Sequence, residues 1–372
     1  MLTTLPPNGN SILAGVGPSR QLYMQLREAP VRTDASIYLE RRLAEAALLP
    51  PAWSDGMEGL EAWLDTRART RWAGLRQYHE ARQEGAPRRH FATLAQARRF
   101  LSVQAPLLLA EGAWLYHTTD HWRQPHFAPL INLYLGYLGK GVPAHNCVGR
   151  LRQTLAAQGC GQAGDLEDGH YVQGAIRLAL SCAGELFLPE VLGYQLGAAE
   201  QATAHPAVLQ ELAELGIGLQ QPPAADDAVL LTLRALLRSN SDSASMLQRV
   251  ERGYALNRLG MPALPATPES GAPQDAPVAA TAAVLTTPPA QPAPPPVESE
   301  GPRPVLRHAF PADEHAWETI SSDLGLLEAQ IANCSSKGEA MAVLVRHMGP
   351  ASHHQPLGLM ATRIYAQLFA LG

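Results

Sequence analysis

The sequence predicts an all-α protein on three observations. Apolar residues recur at helical spacing through most of the first 260 positions, as in Leu60, Trp63, Leu64 and Ala68, or Phe100, Val103 and Leu107. Good helix formers (Ala, Leu, Arg, Gln and Glu) dominate the same stretch. Runs of β-branched residues at period two, the mark of a half-buried strand, do not occur.

Taken in order, the elements carry their own punctuation. Asp34 before SIYLERRL and Thr93 before LAQARRFL can each offer a side-chain oxygen to the free N–H groups of a first turn. Leu130, Leu133 and Leu138 continue the pattern in LINLYLGYL, which Gly139 and Gly141 terminate. Ile176, Leu178 and Leu180 mark a later apolar helix. Residues 1–18 read as a flexible N-terminus and 19–260 as one helical domain. From Met261 to Pro304 the chain turns rich in Pro and Ala with almost no large apolar residues. Such a segment cannot bury enough surface to offset its chain entropy, so 261–304 reads as a disordered or polyproline-like linker. It could be read by a proline-recognition module, but composition favours a plain tether. Residues 305–372 return to helical pattern over Ala316 to Asn333, Lys337 to Arg346 and Pro356 to Leu371. That piece is small for a core of its own, so it is expected to dock back on the first domain.

The 372 residues are 46% apolar and 17% charged, a globular balance. Lys plus Arg number 29 and Asp plus Glu 34, a formal charge of −5 that argues against nucleic acid and against an anionic membrane as partner. Arg67 to Arg76 and Arg82 to Arg99 interleave arginine with Glu and apolar residues and read as solvated helix faces. Cys147, Cys160, Cys182 and Cys334 include no CxxC pair, which points away from a disulfide framework or structural zinc and towards a reducing compartment. The N-terminus has no basic region followed by an apolar run, and Ala105 to Leu115 is too short to span a bilayer; the expected location is cytoplasmic. GxGxxG, P-loop, GxSxG and HExxH motifs are absent.

Four segments carry a resemblance. They are RRHFATLAQARRFLSVQAPLLLAEGAWLYHT, LINLYLGYLGKGVPAHNCVGRLRQTLAAQG, LALSCAGELFLPEVLGYQLGAAE and the closing RHMGPASHHQPLGLMATRIYAQLFA. Together they resemble the haem-oxygenase-like iron-containing redox enzymes, over roughly residues 88–260 plus the last 35. The resemblance implies a haem-oxygenase-like helical bundle around one or two irons. It also implies a Glu from a first helix, a Glu and a His about ten residues apart on a second, and a His/Asp/His set on a third. Carboxylates and imidazoles suit iron(II) and leave positions open for dioxygen.

Carried over residue by residue, the first Glu matches Glu111 in AEGAWL, the second Glu falls on Tyr137, and the His after it falls on Cys147. The third helix is expected between Asp226 and Leu259, yet no histidine occurs between His205 and His308. The expected pocket is therefore Glu111, Tyr137 and Cys147, with Glu111 and His145 as the residual metal ligands if iron is held at all. Glu111 follows the apolar run Ala105–Ala110, so it is expected to be buried and either paired or metal-bound; a hydrogen bond between helices is preferred. A phenol and a thiol at 137 and 147 fill a vacated metal pocket without unpaired charge, and a catalytic cysteine would have only His145 nearby as base.

The other candidates have simpler explanations. His117 and His121 stand at i and i+4, but His117 lies about 120° around a helix from Glu111, so the pair reads as a surface cluster. Asp165, Glu167, Asp168 and His170 read as first-turn residues complementing a helix dipole, and Glu190 after Pro189 as structural. His353 and His354 could pair on a metal, with an exposed loop as the preferred reading. Two functions follow. One is a non-catalytic homologue that binds a small apolar or amphipathic molecule or a protein partner, a second copy included. The other is an active non-haem iron oxidase of small-molecule metabolism that uses Glu111 and relocated histidines. The favoured expectation is no cofactor, or iron if any.

Overall fold

A proline near the end of one helix and a left-handed glycine four residues beyond its last turn set the central geometry. In the computed structural model, Leu94–Leu108 (α4) starts on Thr93, whose hydroxyl accepts from the Gln96 N–H, as the sequence predicts. Pro106 lies inside its last turn, and Gly112 at φ 78° turns the chain into a 3₁₀ segment, Ala113–His121. Proline lacks the N–H that would carry the helix on, and glycine adopts positive φ without cost from a Cβ. The apolar stretch Ala105 to Leu115 is thus broken at 109–112, and Glu111 sits in the break.

The structure describes residues 18–54, 56–160, 166–198, 200–220, 225–239, 241–261, 265 and 314–370, with backbone only at 202 and 314–321. The N-terminal tail and most of the Pro/Ala-rich stretch lie outside the described residues. Among the described residues there are fourteen α-helices and no strand. Before α4 come Pro18–Glu28 (α1), Arg32–Ala46 (α2) and Gly56–Gln83 (α3). After it come Ala128–Tyr137 (α5), Cys147–Ala157 (α6), Val172–Ala183 (α7), Leu188–Ala198 (α8) and Pro206–Glu214 (α9). Asp226–Ser239 (α10) and Ser243–Arg258 (α11) follow. The last three are Glu314–Ala332 (α12), Lys337–His347 (α13) and Pro356–Ala370 (α14). None of the helices is long and apolar enough to cross a membrane.

α7 is the central helix. It is buried all round from Val172 to Ser181 and packs against α1, α2, α4 and the 3₁₀ segment. α8 is buried from Glu190 to Ala198 and lies closely against α11. Small residues permit that closeness. A Cβ on Gly193 would fall 1.7 Å from the Val250 carbonyl oxygen, and one on Gly253 would fall 2.0 Å from that of Glu190. At the same crossing the buried Glu190 takes both Nε and Nη2 of Arg249 at 2.7 Å, a structural role in keeping with its sequence reading.

Several sequence expectations need correction. Asp34 lies in the first turn of α2 and accepts from Gln25 Nε2 (2.6 Å); Val31 occupies the N-cap position. Asp168 caps α1 rather than its own helix, accepting from the Arg20 N–H at 2.8 Å, because the chain brings the two N-terminal ends together. Asp165 lies outside the described residues. The arginines of α3 are not simply solvated: Arg67 pairs with Glu200 and Asp226, and Arg82 with Glu214, tying α3 to the segment after α8. The stretch 226–259 is two helices, the second started by Asp242, whose carboxylate accepts from the Ser245 N–H.

Helices α12–α14 match the three C-terminal runs read from the sequence to within a few residues. Their side chains meet the bundle at specific points. The Tyr134 hydroxyl donates to the Met348 carbonyl (2.5 Å), and that of Tyr365 donates to Thr119 (2.9 Å).

Candidate functional site

Helix α7 carries a single charged residue. Arg177 sits at its middle with no exposed surface, where an unpaired guanidinium would cost many kcal/mol. Its partners come from three directions. Nη1 donates to Glu111 Oε2 at 2.5 Å and to the Leu107 carbonyl at 2.9 Å. Nε donates to the Tyr194 hydroxyl at 3.1 Å, and Nη2 to Gln201 Oε1. The guanidinium carbon lies 4.5 Å from the centre of the Trp114 ring, a cation–π contact.

A second layer holds these partners in place. The Tyr194 hydroxyl donates to Gln173 Oε1 (2.8 Å), and the Gln173 amide donates to the Leu256 and Leu259 carbonyls. The Trp114 indole donates to Gln195 at 2.8 Å. The break after α4 explains why Glu111 can reach α7. The turn leaves the Leu107 carbonyl, which accepts from the Ala110 N–H at 3.2 Å, within reach of Arg177 as well, and Gly112 passes so close to Tyr137 that a Cβ there would lie 2.7 Å from the ring.

Glu111, Tyr137 and Cys147 line one cavity, with Leu108, Arg150, Leu151 and Thr154 beside them and Gly218, Leu219 and Gln220 around its outer side. The cavity has a volume of about 50 Å³. A water needs about 10–15 Å³ of such space, so a few waters or one very small group fit, and a prosthetic group does not. Gln220 accepts from Arg150 Nη1 (3.2 Å) and from the Cys147 thiol (3.7 Å).

Both uncharged side chains stay uncharged at neutral pH. Burial, reinforced by Glu111, pushes the Tyr137 phenol well above its ordinary range. The same two causes push the Cys147 thiol up to about 12. A thiol so raised is not a nucleophile at neutral pH. Nor is a base to hand: His145 is exposed on the turn Pro143–His145 and does not line the cavity.

The donor set does not fit an iron centre. Glu111 is engaged by a guanidinium, and among the described residues no group of three or more His, Cys, Asp or Glu side chains is placed to hold a metal ion. A divalent cation on Glu111, about 4 Å from that guanidinium, would be repelled by on the order of several kcal/mol at the effective dielectric of a protein.

The other histidines are elsewhere. His117 faces Asp120 (3.1 Å), and His121 stacks on Phe127 at 4.2 Å, both along the 3₁₀ segment and off the cavity. The reading of His353 and His354 as an exposed loop is overturned. His353 is buried, its Nδ1 meeting the Asn146 amide at 3.1 Å, and His354 is half-buried.

Arg177 is the residue that the motif comparison misses. Its signal is visible all the same: it is the lone charged side chain between Asp168 and Glu185, inside GAIRLALSCAG, and a charge in such a helix demands a buried partner. Comparison with protein-family models, with curated proteins and with solved structures gives no match to this chain.

Proposed function

We propose that the chain is a haem-oxygenase-like helical scaffold that acts by binding, with a guanidinium standing where the family would place a metal cation. The observation that carries this reading is the pairing of the buried Arg177 with the part-buried Glu111. A lone carboxylate in an apolar interior needs a positive partner, and Arg177 meets that need without iron. The neutral Tyr137 and Cys147 at the neighbouring ligand positions support the same reading, since neither adds the negative charge that iron(II) favours. In this proposal the C-terminal helices are a docked part of the scaffold, and the Pro/Ala-rich stretch is a tether to them.

The test is iron content. Protein purified without a metal-binding tag is loaded with iron(II) anaerobically, desalted, and assayed for iron per chain, beside a Glu111→Ala variant checked for helicity by circular dichroism. The expected result is iron near zero in the unaltered protein, or a residue of iron that the variant retains. Near-stoichiometric iron that disappears with Glu111→Ala would overturn the proposal and restore the oxidase reading.

A further inference from the structure

A second and larger cavity of about 640 Å³ lies between the stretch Trp122 to Pro125 that follows the 3₁₀ segment, α5 and the helices α13 and α14. It shares no lining residue with the Glu111 cavity. Its volume falls in the range of about 300–1,000 Å³ typical of sites for metabolite-sized ligands. Trp122, Leu135, Ala366 and Phe369 give it apolar and aromatic walls, and three cations (Arg123, Lys140 and Lys337) stand around it.

These cations are placed against local preference. Lys140 has φ 50° and is the one non-glycine residue at positive φ among the described residues. The turn is forced there by its neighbours. A Cβ on Gly139 would fall 2.5 Å from the backbone of His145 and Asn146, and one on Gly141 would fall 2.4 Å from the Leu359 carbonyl oxygen. Glycine or asparagine would suit position 140 better, whereas a lysine costs about 1–2 kcal/mol in that conformation.

Arg123 and Lys337 both sit at the start of α13, the positive end of its dipole. The Arg123 guanidinium lies so close to Gly338 that a Cβ would be 2.5 Å from it. Both cations approach the Trp122 ring, at 4.8 and 5.3 Å from its centre. The carboxylate nearest in sequence, Glu339, is taken up by the Ser335 N–H and hydroxyl. None of the three cations forms an ion pair with a carboxylate among the described residues.

A strained lysine, two cations at a helix N-terminus and an aromatic wall, in a chain of net charge −5, call for one kind of occupant. We propose that this cavity binds a small planar aromatic carboxylate, with its ring against Trp122 and Phe369 and its carboxylate among Arg123, Lys140 and Lys337. The inference goes beyond the metal-free reading and holds whichever way the iron measurement falls.

The probe is 2-naphthoate, titrated by calorimetry into the full chain, with 2-naphthalenemethanol as its uncharged counterpart. Lys140→Gly is the informative variant, because it removes a charge while relieving the backbone. It is expected to melt no lower than the unaltered protein and to bind naphthoate at least about fivefold more weakly, and Lys337→Gln to weaken it similarly. The alcohol is expected to bind at least about tenfold more weakly than the acid, roughly 1.4 kcal/mol, and added salt to weaken the acid alone. Equal affinity for acid and alcohol, naphthoate binding unchanged in both variants, or no heat of binding at millimolar naphthoate would each overturn the proposal.

Discussion

At the scale of single residues, Glu111 and Arg177 illustrate how a buried charge is tolerated. Removing one partner leaves the other uncompensated. Arg177 is the worse to strand, since it is fully buried whereas the Glu111 side chain keeps 11% exposure beside its cavity. Glu111→Leu is therefore expected to cost about 3–5 kcal/mol, as buried pairs do when halved. The double variant Glu111→Leu/Arg177→Met is expected to recover most of that loss, because no charge is left unpaired. Urea unfolding of the two single variants and the double checks this; a double variant as unstable as the sum of the singles would show that the two side chains are not coupled. The pocket residues were legible in the sequence only in part. Glu111, Tyr137 and Cys147 fall on three ligand positions implied by the family resemblance, and they line one cavity. Arg177 could not be matched to Glu111, because the two are 66 positions apart and depend on a chain reversal that spacing does not encode.

At the scale of elements, glycine decides how near two helices approach. Gly193 lets α8 lie on α11 with its Cα beneath the Val250 carbonyl, so Gly193→Ala must push the helices apart. A loss of about 3 kcal/mol is expected, in the range of overpacked cores. Gly74 is the contrasting case. It lies in the middle of α3, exposed, with nothing within 4 Å of an added Cβ, so Gly74→Ala should stabilise by up to about 1 kcal/mol through helix propensity alone. Thermal melts of both variants test the crossing: a Gly193→Ala protein within about 0.5 kcal/mol of the parent would mean that it is loose. Helix identity was readable from periodicity, and the Thr93 cap from local chemistry. The break at 109–112 was not, because an apolar run with one proline and one glycine has the same composition whether it kinks or ends. Asp168 escaped for a related reason: its capping partner is a different helix, and a sequence shows only the helix that an acidic residue precedes.

At the scale of the whole molecule, the C-terminal helices share the main core. Leu327, Met341, Leu344, Met348, Ala361 and Tyr365 belong to the same apolar cluster as Leu22, Trp114 and Ile176, so segments separated by the Pro/Ala-rich stretch bury a common surface. The sequence supplied the helical pattern of this segment but not its seam with the bundle, since the polar residues that define the seam, Asn146 and His353, lie 207 positions apart. That seam is sensitive to acid. Asn146 gives its amide to the Leu138 carbonyl and towards His353 Nδ1, which must therefore stay unprotonated to accept. Burial, with His354 and Arg152 adding like charge, lowers the His353 imidazole to about 3 from its ordinary 6.5. Between those values the unfolded chain binds a proton that the folded chain refuses. Stability is then fully present above about pH 6.5 and declines as pH falls towards 3, by up to about 1.4 kcal/mol per pH unit from this group. His354, lowered to about 4 chiefly by burial, acts in the same direction. The window from pH 6.5 to 5 leaves ordinary carboxylates ionised; burial lowers His121, His205 and His347 as well, so the contribution of His353 is read from the difference between parent and variant. Urea midpoints measured across it should fall for the parent and stay flatter for His353→Asn, which keeps an acceptor for Asn146 but cannot titrate. Equal slopes in the two proteins would remove His353 as the cause and place the acid sensitivity outside this seam.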